Sequence, residues 1–541
     1  MRLRFLALIA GSLVILATDS GVPTMQGEAA SPPAIVLPEM LAIELPGAAI
    51  SIAPDVSPLK DLLASPVAPG LKVTHDVRAP LPLGATSVTW TAWAGTPGEG
   101  TPAATKQAWV YVFPYGQTPA GVSGRHDATA GNHSAKIVRD SSGRVHVAWL
   151  DAARPGLGTT VLYRSGVQDP VTGRFAWDTP VSRLTPPGAA VGMGGLEVSQ
   201  NAVHFVWATD TSTRYLRVVR VGQGLRSGPV RDTRAVGGAY DNGSDLAVRG
   251  DNEIHVLTYT GQYAISTNGG VSWKVEQVPW PTSETKNPAL AVDPLGNAHV
   301  VFVQKVRIPK EWKSGQPNGA YWQLRYVRRA AEGGWTDAQD VLAAFPEWGD
   351  QGMSRDVLAD WPDIAADQHG NIHVGFHGTA NSGKYGQDEA FYVRRPATGP
   401  GAWGAWERPV PLHPVNRAAG HSQSYAPSFS LDPATDTVVA VVFFDNQDQS
   451  HEAFDADALL LRGGKIVGKP IPLVRNAKMA IDANHGDDAL AAWFDTPAPR
   501  IYRQADGRAW LDVLYTAQTP ERHNSPHYVI YLRHYLTDAL K

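Results

Sequence analysis

The side chains with most chemistry to offer lie between residues 304 and 457. Glu347, Asp360, His377, Tyr385, His421 and Tyr425 are the candidates for making and breaking bonds. Two carboxylates facing each other across a pocket can serve as nucleophile and acid, as can a tyrosine beside a glutamate. A histidine and a tyrosine can instead take and return a proton in an elimination. Arg307, Trp312, Trp322, Trp348, Asp445 and His451 are the candidates for holding a substrate. Indole faces stack on sugar rings, carboxylates and imidazoles bind hydroxyls, and a guanidinium grips an acidic group. For any one of them the competing reading is an ordinary solvated polar rim.

Composition removes other chemistries. There is no cysteine, so thiolate nucleophiles, disulfides and cysteine zinc sites are excluded. No spacing of metal-ligand type stands out and no cofactor is implied, although loop aspartates could hold a structural Ca²⁺. Lys and Arg number 47 against 51 Asp and Glu, so the net charge of −4 gives no electrostatic footprint for nucleic acid. The 53 glycines and 42 prolines, with 17 Trp, 17 Tyr and 13 Phe, point to many turns between short strands and hence an all-β fold.

The elements that must position these residues repeat. A short strand, an Asp–Gly turn and a strand carrying His and ending in an aromatic recur at 135–149, 290–302 and 364–376. In all three, His146, His299 and His373 follow Asp140, Asp293 and Asp367 by six residues. Weaker copies hold His204 and His255, and two more, at 429–444 and 479–493, lack the His. A third strand ends in arginine at Arg164, Arg328, Arg394 and Arg462, and a fourth follows Trp177, Trp273, Trp335 and Trp406. A unit of four short strands is a propeller blade. The repeats predict seven blades, with six or eight open because residues 500–536 carry a further pair of strands. A His at one place in each blade reads as a core-filling residue that bonds a turn, not as a metal ligand.

A meander fixes which end of such a ring is free for function. The A–B and C–D turns share one end of each blade; the B–C and D–A connections share the other. The long segments 304–322, 345–360, 377–389, 412–425 and 445–457 all fall on the second end, in blades four to six. Long loops on a rigid scaffold are where binding sits.

Ser266-Thr267-Asn268-Gly269-Gly270-Val271-Ser272-Trp273 resembles the Asp box of the bacterial neuraminidase repeat, with Asn for Asp. Residues 125–541 are therefore similar to the sialidase-like propellers, a group of sialidases, other glycosidases, polysaccharide lyases, lectins and non-catalytic scaffolds. The resemblance implies a structural Asp box, on the face away from the active centre. The Val306-Arg307-Ile308-Pro309 run is similar to the early Arg-Ile-Pro motif of sialidases, but lies mid-propeller and lacks the aromatic, so sialidase activity itself is not implied. Residues 42–116, with the Trp90, Trp93 and 107–113 alternations, resemble a HYR-type immunoglobulin-like sandwich, a spacer or adhesion module.

At the N-terminus, Arg2 and Arg4 precede an apolar run over 5–17, the pattern of an export signal and too short to span a membrane comfortably. The domain plan is thus a signal peptide at 1–30, a Pro-rich linker at 31–41, the small sandwich and the propeller. The expectation is a secreted or periplasmic monomer without a membrane span. It acts on an extracellular glycan or polysaccharide as a glycoside hydrolase or lyase, or alternatively binds glycan or cell surface without catalysis.

Overall fold

The computed structural model describes residues 41–44, 71–76, 84–99, 101–113, 116–125, 128–129, 135–151, 159–169, 175–190, 192–209, 211–221, 224–236, 244–280, 284–307, 320–342, 360–378, 389–413, 424, 427–445, 454–474, 498–504, 506–517, 527–537 and 539–540. Their regular elements are all strands, and none of their segments is a helix long and apolar enough to cross a membrane. The export signal and the Pro-rich linker lie outside the described residues. The chain divides into two compact units, Met1–Thr118 and Pro119–Lys541.

The first unit holds one four-stranded sheet among its described residues. Gly84–Ala94 pairs antiparallel with Leu71–His75 on one side and Ala104–Phe113 on the other, and Leu41–Glu44 adds a parallel edge to Ala104–Phe113. Alternation works as pleating requires: Val88, Trp90 and Ala92 are buried while Thr89, Thr91 and Trp93 are half-exposed. A facing second sheet, which a sandwich needs, is not among the described residues.

Among its described residues the second unit holds seven sheets whose main path has four strands, and one two-stranded ribbon, Ala397–Gly399 with Ala402–Trp403. Their inner strands are Ile137–Arg139, Gly192–Val198, Ser244–Arg249, Thr285–Val292, Asp360–Ala366, Ser428–Asp432 and Ala498–Arg503. We number the sheets 1 to 7 in that order. Each inner strand packs on the next, and Ala498–Arg503 packs on Ile137–Arg139, so the sheets close a ring. This is the architecture of a β-propeller. The second strands, such as Val145–Asp151, Ala202–Ala208 and Ile372–Gly378, are buried along their whole length because neighbouring sheets cover both faces. That is why they read as near-continuous apolar runs.

Sheet 7 consists of Ala498–Arg503, Ala509–Ala517, His527–Tyr535 and, as its outer strand, Gln117–Ser123 from far up the chain. The strand that completes the ring therefore precedes sheet 1 in sequence. The repeat at 479–493 lies outside the described residues.

The recurring histidines hold the A–B end together. His299 Nε2 meets Asp293 Oδ2 at 3.2 Å and its Nδ1 meets the Tyr326 hydroxyl at 2.7 Å. His373 repeats this with Asp367 and Tyr392, and His146 with Asp140 and Tyr163. The aspartate also closes its own turn: Asp293 Oδ1 accepts from Asn297 N at 2.8 Å, around Gly296 at φ 88°. His204 and His255 substitute Ser199 and Glu253 for the aspartate and keep the tyrosine. Each tyrosine then receives an aromatic edge from the following sheet: Trp273 on Tyr215, Trp335 on Tyr263 and Trp406 on Tyr326, but Phe205 on Tyr163 and Phe429 on Tyr392; across the seam Trp177 meets Tyr531 of sheet 7. In sheet 7 Asp512 replaces the His. It accepts from Tyr531 at 2.7 Å and from Arg139 Nη2 of sheet 1 at 2.7 Å, which pins the seam.

The 266–273 turn is self-bonded. Ser266 Oγ accepts from Gly270 N at 2.9 Å, and Asn268 Oδ1 accepts from Ser272 N at 2.9 Å. Gly269 and Gly270 take φ 69° and 84°, where a side chain is strained.

Candidate functional site

The inner strands run so that their first residues, and the last residues of the second strands, share the end of the ring that carries the B–C and D–A connections. Asp360 opens the inner strand of sheet 5, and His377 is the next-to-last residue of its second strand. The two are direct cross-strand partners. Lys286 and Asn287 sit near the start of the inner strand of sheet 4, and Trp322 near the start of its third strand, Ala320–Arg329. Sheets 4 and 5 thus bring these side chains to one junction at one end of the ring.

Asp360 is the hub. Lys286 Nζ forms an ion pair with its Oδ2. Asn287 Nδ2 donates to its Oδ1 at 2.6 Å, and Trp361 N donates to the same oxygen at 2.9 Å. Three donors, one of them a cation, occupy a carboxylate that is only 6% exposed. Such a carboxylate serves as an acceptor that fixes its neighbours. The ammonium of Lys286 also lies 4.4 Å from the Trp322 ring centroid, so the indole and the carboxylate share one counter-charge.

The local backbone is shaped for this. Asn287 and Trp361 both adopt left-handed φ, 51° and 46°, each directly before a proline. Both inner strands slip register there, at Lys286/Ala289 and Asp360/Asp363. For a bulky residue such as Trp361 that conformation costs on the order of 1–3 kcal/mol, and such strain clusters at functional sites. The bulges turn Lys286 and Asp360 toward each other across the sheet boundary. Elsewhere the inner strands are tied deeper in the ring: Asp245 Oδ2 accepts from Leu290 N across the boundary of sheets 3 and 4, and Asp363 Oδ2 from Phe429 N across that of sheets 5 and 6. At the 4–5 boundary Ala289 stands where those aspartates stand, and the tie has moved to the loop end.

His377 is 7% exposed, and its Nδ1 has no hydrogen-bond partner among the described residues. A buried nitrogen left unpaired costs about 1–3 kcal/mol, which a ligand donor or acceptor would recover.

Of the twelve residues singled out from sequence, Asp360, His377 and Trp322 come together at this junction. Arg307 and Asp445 end the second strands of sheets 4 and 6, at the same end of the ring. Glu347, Tyr385, His421, Tyr425, Trp312, Trp348 and His451 lie outside the described residues. Sequence reading missed Lys286 and Asn287. Their signal is the match of Lys286-Asn287-Pro288 with Asp360-Trp361-Pro362, at one position of two repeats. Among the described residues no group of three or more His, Asp or Glu is placed to hold a metal ion.

No family model matches the chain, and no curated protein sequence matches it. Solved structures do match. An ulvan lyase of polysaccharide lyase family PL25, solved with a glucuronate–sulfated rhamnose ligand, is 12% identical and is covered over 97% of its chain by 78% of this one, with a TM-score of 0.45. The NanB sialidase of Streptococcus pneumoniae is 10% identical, with coverage of 77% of this chain and 70% of that one and a TM-score of 0.33. A thermostable family-43 glycoside hydrolase is 11% identical, with coverage of 66% and 98% and a TM-score of 0.32.

Proposed function

We propose that this chain is a secreted, monomeric, carbohydrate-active protein. In this reading the ring is a seven-bladed, sialidase-like propeller with a structural Asp box at 266–273, and residues 42–116 form a HYR-like spacer. Its ligand is an extracellular polysaccharide or glycoconjugate, bound over sheets 4 to 6 at the loop end.

The observation that carries this is the Lys286–Asp360–Trp322–His377 junction. It combines an indole face, a cation held in place, and a buried imidazole nitrogen with no partner among the described residues. In a lyase reaction His377 Nδ1 would take the proton next to a uronate carboxyl, with Tyr385 or Tyr425 returning one to the leaving oxygen. In a hydrolase Glu347 would supply the carboxylate that Asp360, already engaged by three donors, does not. The same saturation of Asp360 favours a second reading, in which the site binds glycan and leaves it intact.

Product analysis on a panel of extracellular polysaccharides separates the three. An ultraviolet-absorbing unsaturated product marks a lyase, new reducing ends without that absorbance mark a hydrolase, and retention on glycan without products marks a binder. No turnover and no retention on any member would end the proposal.

A further inference from the structure

His377 stands on a strand pair that serves two boundaries of the ring. Side chains along its strand alternate, as pleating requires. Ile372, Val374 and Phe376 cluster with Val301, Leu324 and Tyr326 of sheet 4. A Cβ on Gly375 would instead run into Pro427 and Phe429, at the inner strand of sheet 6. His377 falls on that second face. Its neighbours across the sheet, Ala390 and then Leu412, pack with Phe429 and Val442 of sheet 6. Asp360, its partner on the other side, reaches across the bulge to Lys286 of sheet 4. One strand pair thus turns Asp360 to the 4–5 boundary and His377 to the 5–6 boundary.

The 5–6 boundary carries an aromatic platform of its own at the loop end. Phe444 is the next-to-last residue of Thr437–Asp445, the second strand of sheet 6, and is buried. The ring of His413 stacks on it, with centroids 3.8 Å apart and planes 19° from parallel. His413 follows Val410–Pro411, the fourth strand of sheet 5, and is half-buried. Two bonds to Ala390 fix where it lies. Leu412 N donates to Ala390 O at 2.8 Å. The buried Ser424 hydroxyl accepts from Ala390 N at 2.8 Å and donates to His413 O at 3.2 Å. Ser424 also forms a backbone bridge with Phe444. His377, Ala390 and Leu412 lie side by side, so His377 and Leu412 are two strand spacings apart, about 10 Å between backbones.

We propose that the loop-end site has two subsites, one on each side of the Asp360–His377 strand pair, and that His413 binds sugar in the second. Trp322, with the Lys286 ammonium 4.4 Å from its ring centroid, is the platform of the first. The His413 imidazole, backed by Phe444, is the platform of the second. A flat ring with a polar edge suits a sugar, whose C–H face lies on the ring while its hydroxyls meet the nitrogens. The stack and the Ser424 bond hold His413 in place beforehand, so little side-chain entropy is lost when sugar binds. Between the platforms lies His377, whose Nδ1 has no hydrogen-bond partner among the described residues. The ligand is then a run of linked sugar rings laid across sheet 5, not a single terminal sugar. This inference rests on the glycan reading of the same junction and adds the length of its ligand and a binding residue.

The test titrates the full chain with disaccharides and hexasaccharides of cellulose, xylan, alginate and hyaluronan, reading affinity, or KM where the sugar is cleaved. Two platforms on one ligand act through effective concentration, so in a series that binds, the hexasaccharide should exceed the disaccharide by about tenfold or more. Equal affinity of the two lengths overturns the inference and needs no variant. His413→Phe keeps a ring on Phe444 and removes the nitrogens, and Trp322→Leu removes the other platform. Each should weaken the hexasaccharide by about fivefold or more, and the double variant should fall to the disaccharide level. If Trp322→Leu weakens the hexasaccharide while His413→Phe leaves it within about twofold of the wild type, the ligand is confined to the 4–5 junction. That result overturns the second subsite and leaves the glycan reading standing. No binding of any of these sugars ends both.

Discussion

Replacing His299 by alanine should weaken the ring without touching the loop end. The imidazole is completely buried and makes two hydrogen bonds, to Asp293 and Tyr326, and its ring meets the edge of Trp403 at 5.2 Å. Truncating a buried side chain of this size opens a cavity worth roughly 2–4 kcal/mol. It also leaves the Tyr326 hydroxyl, 1% exposed, with its His299 bond gone, for about 1–2 kcal/mol more; Asp293 keeps its bonds from Asn297. The expected loss is therefore about 3–6 kcal/mol, read as a lower Tm and denaturation midpoint. Adding Tyr326→Phe removes the stranded hydroxyl and should restore about 1 kcal/mol, a coupling that neither single change predicts. Glycan retention or turnover per folded molecule should not change. An unaltered Tm, or loss of glycan action at unaltered Tm, would refute the reading of the repeat histidines as fold elements.

Gly270→Ala should cost about 2–5 kcal/mol, because φ is 84° and the new Cβ would lie 2.1 Å from Tyr215 Cε1; thermal unfolding measures it. His377→Phe keeps a ring in place and removes the Nδ1 that has no partner among the described residues, so stability should hold to within about 1 kcal/mol while glycan turnover or retention falls at least tenfold. Lys286→Met should lower both stability, by about 1–3 kcal/mol, and glycan affinity, since Asp360 loses its counter-charge and Trp322 its ammonium; denaturation and a glycan-binding titration read the two effects. Burial lowers the pKa of His204 to about 4 and also lowers those of His255 and His299, so their contribution is present above the ordinary histidine range and lost as pH falls below it. A denaturation series from pH 7 to 4 should show this loss, shallower in His204→Phe.

The parts legible in sequence were those that repeat. Asp, Gly, His, Tyr and Trp recur because each sheet needs the same turn closed, the same core imidazole and the same ring edge from its neighbour. The A–B end could therefore be assigned to structure before any contact was known. Sheet 7 was harder because Asp512 stands in the His place and its outer strand, Gln117–Ser123, comes from before sheet 1. A replacement by a residue of opposite protonation chemistry breaks the pattern even though Arg139 restores the bonding. At the loop end the composition singled out Asp360, Trp322 and His377 of sheets 4 and 5, but not that Asp360 would be tied up by Lys286 and Asn287. That depends on two bulged, left-handed residues, and tryptophan at Trp361 gives no propensity for such a backbone.

Hydrogen exchange of the full chain, with and without a retained oligosaccharide from the glycan panel, tests the location of the site most directly. The account predicts slowed exchange at 285–290, 320–324, 360–364 and 374–378, the loop ends of sheets 4 and 5, with no change at the A–B turns 140–144, 293–297 and 367–371. Protection centred on those turns, or on the 266–273 turn, would contradict it.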